Sequence, residues 1–343
     1  MKKYILFLSL LSVTLVTKAQ NDKEPYITKS LSSESIQQVM AQTSGGSITI
    51  AGVSTEAKIE VYVNGNNSIT GLSREEIKSR LEEYYTLSVS VSNNKLTAIA
   101  KQKENNMSWK KSLSISFKIY VPGNVSTDLS TSGGSIRLND LKGSQSFRTS
   151  GGSLHIDNVS GSINGATSGG SIHVSNSNDE IDLTTSGGSI EASKCKGNLK
   201  LSTSGGSLHL DDLNGIIDAS TSGGRIDGNN ITGELSASTS GGSVRLDNIQ
   251  GSLEASTSGG SMDVAISALG KFVKLHNSGG NINLTLPRDK GLNLKLSGNK
   301  IKVDPLNNFS GSTDENNITG TLNGGGTPIT VKASSGRVYV TLK

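Results

Sequence analysis

A chain of 343 residues with 41 glycines, 13 aromatics and only 33% apolar residues is poor in the bulky side chains that fill an ordinary enzyme core. With Lys2, Lys3 and Lys18 of the N-terminal segment set aside, 30 basic residues face 29 acidic ones, which excludes a general attraction to nucleic-acid backbones or anionic lipid. Intrinsic disorder is excluded too, because it calls for a large net charge and few β-branched residues, and neither holds.

Residues 1–19 read as a secretory signal peptide: Lys2 and Lys3, an apolar run over 4–16, and Thr17-Lys18-Ala19 as a small-x-small cleavage site. The run is too short to cross a bilayer, so the mature chain is expected outside the cytoplasm, in the periplasm, at the cell surface or extracellular. No Cys follows the cleavage site to carry a lipid, and no later apolar stretch has membrane-spanning length. Cys195 is the single cysteine, so the fold is expected to rest on packing and hydrogen bonds without a disulfide. Residues 20–42 read as a leader or linker.

Residues 43–125 read as a small α+β N-terminal cap. Ser73-Arg74-Glu75-Glu76 is a capping box that opens a helix with Ile77, Leu81, Tyr84 and Tyr85 on one stripe. Strand-like alternation surrounds it at 59–63, 86–91, 96–100 and 113–121, and Pro122-Gly123 turns the chain onward. A copy of Thr-Ser-Gly-Gly at Thr43 stands apart from the later ones.

From 126 to 276 the chain is a repeat. Thr-Ser-Gly-Gly begins at Thr131, Thr149, Thr167, Thr185, Thr203, Thr221, Thr239 and Thr257, always 18 residues apart. Counting the Thr as position 1, positions 6 and 8 are apolar (Leu154 and Ile156, Leu208 and Leu210), as are 15 and 17 (Leu199 and Leu201), which is strand alternation. Position 11 is apolar in most copies, as at Leu141, Val159, Cys195 and Ile231. So short a unit cannot bury these positions alone, but stacking unit on unit gives parallel ladders around a continuous core.

Glycine columns at positions 3, 4 and 13 supply corners, with Asp179 as a left-handed substitute at 13 and stackable Asn and Asp at 10. The expected fold is all-β, a right-handed parallel β-solenoid with 18-residue rungs and a length on the order of 45 to 55 Å. A left-handed triangular coil is disfavoured because its apolar residues would recur every six positions. Residues 277–343 read as degenerate repeats and a β-rich C-terminal cap, with a corner at Asn277-Ser278-Gly279-Gly280, a Gly-rich hairpin over 321–332 and an echo at Ser335-Gly336-Arg337-Val338.

The Thr-Ser-Gly-Gly-Ser-Ile units, the strand-rich lead-in through Val121-Pro122 and the closing Ser-Gly-Arg-Val-Tyr-Val resemble a bacterial family of exported β-solenoid proteins labelled as adhesins. The resemblance implies the fold and the compartment. It supplies no shared catalytic or binding residues.

The most pointed side-chain cluster is the outward column at position 7, where His155, His173, Glu191 and His209 succeed one another at the strand spacing. Such a column is a candidate metal site, set against the alternative of a solvated strand face. Asp157, Asp211 and Asp247 at position 9 lack the glycine spacing of calcium-binding nonapeptides and read as turn residues. The Thr column suggests ice binding until the alternation turns it inward, where a hydrogen-bonded corner is the better reading.

Catalysis finds little support. Seven consecutive repeats carry no insertion to wall a cleft, only 257–276 gains two residues, around 265–269, and between residues 131 and 276 the aromatics are Phe147 and Phe272. No nucleophile elbow, phosphate loop or zinc-protease helix occurs in the sequence. The expectation is an exported, non-catalytic adhesin or envelope protein without cofactor, whose outward faces meet a surface glycan or an envelope protein. The competing readings are a carbohydrate-active lyase or glycosidase and a self-assembling envelope polymer.

Overall fold

The computed structural model describes residues 24–65, 72–103 and 108–343, so the signal-peptide reading of 1–19 lies outside the described residues. Among the described residues the chain is all-β apart from one helix and one short 3-10 turn, and its repeats form a β-solenoid-like stack. Leu208–Thr221, Ile226–Thr239 and Val244–Thr257 lie parallel, each residue pairing with the one 18 positions on, as Leu208 with Ile226 and Ile226 with Val244. Alternation then decides what is buried. Leu208, Leu210, Leu213, Ile217, Ala219 and Thr221 all point into the core, and each large apolar one contributes about 1.5–3 kcal/mol.

Two columns of unusual backbone bend every rung. At position 13 glycine takes the left-handed region, as Gly161 (φ 104°) and Gly233 (φ 116°) do, and Asp179 stands in at φ 82°. Position 10 is left-handed as well: Asp140, Asn158, Asn176, Asp212, Asn230 and Asn248 have φ between 50° and 57°. Asn and Asp tolerate that conformation and then bond along the stack, Asn158 to Asp140 at 2.6 Å and Asn230 to Asp212 at 3.0 Å.

The Gly-Gly corner works differently from the sequence expectation. Neither glycine of the pair lies in the left-handed region; a Cβ on the second, as at Gly206, would overlap the Gly188 carbonyl of the preceding rung. A Cβ on Gly205 would sit at an ordinary 3.5 Å from the nearest atoms. Close approach of stacked backbones, not positive φ, requires glycine at position 4.

The Thr column is buried, with relative exposures of 1–6% from Thr131 to Thr257. Each hydroxyl donates to the second glycine of the preceding rung, as Thr203 to the Gly188 carbonyl at 2.8 Å, and from Thr131 to Thr239 it also accepts from its own, as from the Gly206 N–H at 3.3 Å. Two strands, Ile172–Ser175 and Ile190–Ser193, are cut short where buried Ser177 and Cys195 occupy the apolar position 11. Ser177 satisfies its hydroxyl on the Ser175 carbonyl at 2.7 Å.

At the N-terminal end the Thr43 copy is isolated in sequence but not in space. Thr43 pairs with Thr131 and Ile48 with Ile136, so a rung lying 88 residues earlier stacks directly against the array. One ladder continues outward through Ile48–Gly52, Leu113–Val121, Lys58–Gly65 and Ile27–Ser30. The other runs through Ser126–Thr131, Gln38–Thr43, Lys95–Gln102 and Tyr85–Ser92. The stretch read as a linker therefore holds two strands, and its Leu31, Ile36, Val39 and Ala41 are buried in the core. The helix forms as Arg74–Tyr84, with Ser73 Oγ accepting from the Glu76 N–H at 3.2 Å. Tyr85 leaves the expected stripe and starts the next strand, where its hydroxyl accepts from the Leu113 N–H at 2.8 Å.

At the other end, the two extra residues fall between Leu269 and Val273 and are absorbed as register shifts inside Met262–Asn277, so no loop grows out of the stack. The hairpin expected over 321–332 is absent. Asn317–Leu322 pairs antiparallel with Phe309–Thr313 and Leu292–Ser297, whereas Thr327–Ala333 pairs parallel with Met262–Asn277. Ile329 and Val331 lie in register with the buried Val273 and Leu275, and extending that core outweighs local hairpin closure. Ile282–Leu286 pairs with Arg337–Leu342, which pairs in turn with Lys300–Val303 at the end of the first ladder.

Candidate functional site

The histidine column lies where alternation places it, on the outward side of the first ladder. His155 and His173 stack face to face with ring centroids 5.2 Å apart and planes 4° from parallel. His173 Nδ1 lies 2.7 Å from Glu191 Oε2. His209 is in register with Glu191 but turns the other way, its Nδ1 lying 3.4 Å from Asp227, which Arg225 also holds at 2.6 Å. Three of the four candidate residues thus form one run, and His209 stands apart in a pair with Asp227. Among the described residues no group of three or more His, Cys, Asp or Glu is arranged to hold a metal ion.

Electrostatics on this face follow from the neighbours. Partial burial holds His155 below the ordinary histidine pKa, and the charges of Arg137 and His173 push the same way. Asp157 is held below the usual carboxylate range by hydrogen bonds from Ser175 Oγ and Asn176 Nδ2, both at 2.7 Å. Asp211 accepts from Asn229 Nδ2 at 3.1 Å. These carboxylates bond across rungs as surface ties. Cys195 is buried and its thiol pKa is raised by that burial, which makes it unreactive.

The outward side of the second ladder has a different shape. Position 18 is short in most rungs, with Ser130, Ala166, Thr184, Ser202, Ser220, Ser238 and Ser256 against the large Arg148, while positions 14 and 16 mix serines such as Ser146 and Ser162 with longer side chains such as Glu180, Lys200 and Glu254. Shallow depressions follow. One of about 580 Å³ runs over Ser130, Arg148, Ser150, Asn164, Thr184 and Ser186. Another of about 430 Å³ lies over Asn164, Glu180, Asp182, Asn198, Lys200 and Ile216. A third, about 240 Å³, sits at Glu254, Ser256, Lys274 and His276 on the same columns.

Hydrogen bonds between rungs hold this surface: Asn198 Nδ2 to Glu180 at 2.8 Å and Ser220 Oγ to Ser202 Oγ at 3.3 Å. Ile216, 59% exposed, is the large apolar side chain that faces solvent there. Chemical type along one column does not reveal these depressions, because each is lined by side chains from several adjacent rungs.

Residues 197–341 match the family model described as Toastrack DUF4097. Three solved structures are similar to the chain. A "putative cell adhesion protein" from Clostridium sporogenes is 11% identical, with 92% of this chain and 98% of that one covered and a TM-score of 0.20. A "putative adhesin" from Parabacteroides merdae is 11% identical over 75% of this chain and 97% of that one, with a TM-score of 0.38. A "putative lipid binding protein" from Parabacteroides distasonis is 13% identical over 75% and 97%, with a TM-score of 0.36. No protein of curated function matches the chain. Among the described residues no helix is long and apolar enough to cross a membrane.

Proposed function

We propose that the chain is an exported, non-catalytic β-solenoid that binds an extended surface ligand, a glycan or an envelope protein, along its second ladder. In this reading the coil is right-handed with 18-residue rungs, and segments 43–125 and 277–343 cap its two ends. The observation that carries the proposal is the succession of shallow depressions along columns 14, 16 and 18, lined by Ser, Thr, Asn and charged side chains of successive rungs. A ligand that repeats along its own length gains a similar contact at each rung, so weak individual contacts add. Hydroxyls and amides suit the hydroxyl groups of a polysaccharide, and no cofactor enters this reading.

The test is a glycan-array and whole-cell binding assay with the purified protein, with and without zinc or calcium. Saturable binding without turnover, weakened by Arg148→Ala and by Thr184→Lys in the lining of the same depression, is the expected result. Degradation of an arrayed glycan would replace the proposal with a lyase or glycosidase.

A further inference from the structure

The two ladders end on Ile27–Ser30, Tyr85–Ser92, Lys300–Val303 and Phe309–Thr313, each paired on one side only among the described residues. A strand with a free edge is a template for another strand, and proteins blunt such edges by shortness, by lysine or by irregular backbone. Three of these ends are blunted. Ile27–Ser30 has four residues including Lys29, Lys300–Val303 has four including two lysines, and Phe309–Thr313 carries Gly311 at φ 158°.

Tyr85–Ser92 has none of these devices. It is eight residues long, with the sequence YTLSVSVS, and holds no charge and no proline or glycine. Thr86, Ser88, Ser90 and Ser92 are exposed, and Leu87, Val89 and Val91 are half-buried, continuing outward the apolar row of Leu96, Ala98 and Ala100 to which they pair.

The strand is also complementary to itself. Turned antiparallel about a two-fold axis at Val89, Leu87 falls opposite Val91, Ser88 opposite Ser90, and Thr86 opposite Ser92. Every apolar side chain then meets an apolar one and every hydroxyl a hydroxyl, with no like charges opposed. A register shifted by one residue would set valine against serine and lose this match.

We infer that the free edge of Tyr85–Ser92 is a homodimer interface, in which two copies join their second ladders end to end into one continuous sheet. The isologous pairing closes after two copies, so it makes a dimer and not a filament. The two grooved faces then lie on one assembly, doubling the contacts offered to a repetitive ligand.

Sedimentation velocity of the purified protein through the micromolar range tests this, together with three variants. The protein is expected to sediment as a dimer. Val89→Lys, which opposes two ammonium groups on the axis, is expected to sediment as a monomer with its circular dichroism unchanged, whereas Val89→Thr keeps the dimer. Val89→Cys is expected to give a disulfide-linked dimer on oxidation, because the two substituted positions face each other directly. That crosslink still decides the matter if Val89→Lys does not fold. A protein monomeric at every concentration, a folded Val89→Lys that remains dimeric, or no crosslink from Val89→Cys would overturn the inference.

Discussion

The hydroxyl of Thr149 donates to the Gly134 carbonyl at 2.8 Å, tying one rung to the rung before it at the point where their backbones come closest. The contact recurs along the Thr column and ends at Asn277, whose amide donates to the Gly260 carbonyl at 2.8 Å and whose oxygen accepts from the Gly279 and Gly280 N–H groups. A different residue type thus does the same job where the strict repeat stops.

Replacing Thr203 with Val keeps the shape and removes the hydroxyl, leaving the Gly188 carbonyl and the Gly206 N–H without that partner. The expected loss is about 1–3 kcal/mol in urea unfolding. Thr203→Asn, which copies the solution at Asn277, is expected to lose less than half as much; an equal loss would show that the column acts through shape alone.

The two glycines of one corner should respond in opposite ways. Gly206→Ala drives a methyl into the Gly188 carbonyl and is expected to cost about 3 kcal/mol or more. Gly205→Ala, with 3.5 Å of clearance and no left-handed φ, is expected to stay within about 1 kcal/mol of the parent. Comparing thermal midpoints of the pair settles the point.

Lys194 is the misfit of position 10. It holds φ 53° in a column otherwise occupied by Asn and Asp, and its side chain has no short amide or carboxylate to bond along the stack. Lys194→Asn is therefore expected to stabilise the fold by about 0.5–1 kcal/mol in urea unfolding. A loss of stability there would mean that the lysine contributes more than its backbone costs.

The acid side of the stability profile should carry two steps. Folding lowers the pKa of His155 through burial and the nearby Arg137, so below about pH 6.5 the unfolded chain binds a proton that the folded chain resists, and stability falls. His155→Gln should flatten that window in a plot of thermal midpoint against pH. Asp157 is also held low, by its bonds to Ser175 and Asn176, so its stabilisation is present above the usual carboxylate range and is lost in a second, more acidic window. Asp157→Asn should remove that second step.

Within the strict array nearly every buried position was legible from the sequence, because a fixed period turns each position into a column and strand alternation then assigns it a side. The inward turn of Thr131 to Thr257 and the corner role of Asp179 follow in this way, whereas the capping box at Ser73, outside the array, follows from its local motif. The run of Asn and Asp at position 10 marks both a left-handed backbone and bonding along the stack.

Outside the array the period is broken and only contacts between distant segments decide. No local feature of Thr43 indicates that it pairs with Thr131 across 88 residues, or that Thr327–Ala333 abandons its neighbour for Met262–Asn277. Nor does chemical type along columns 14, 16 and 18 reveal a depression, since each is lined by side chains from several adjacent rungs. The stack, the position-13 corner and the core follow from the sequence alone, because each depends on local backbone geometry and a repeated burial pattern. Only the tertiary structure decided how the ends close, which edge stays open and where the surface is hollow, because each depends on which remote strand buries the most apolar surface.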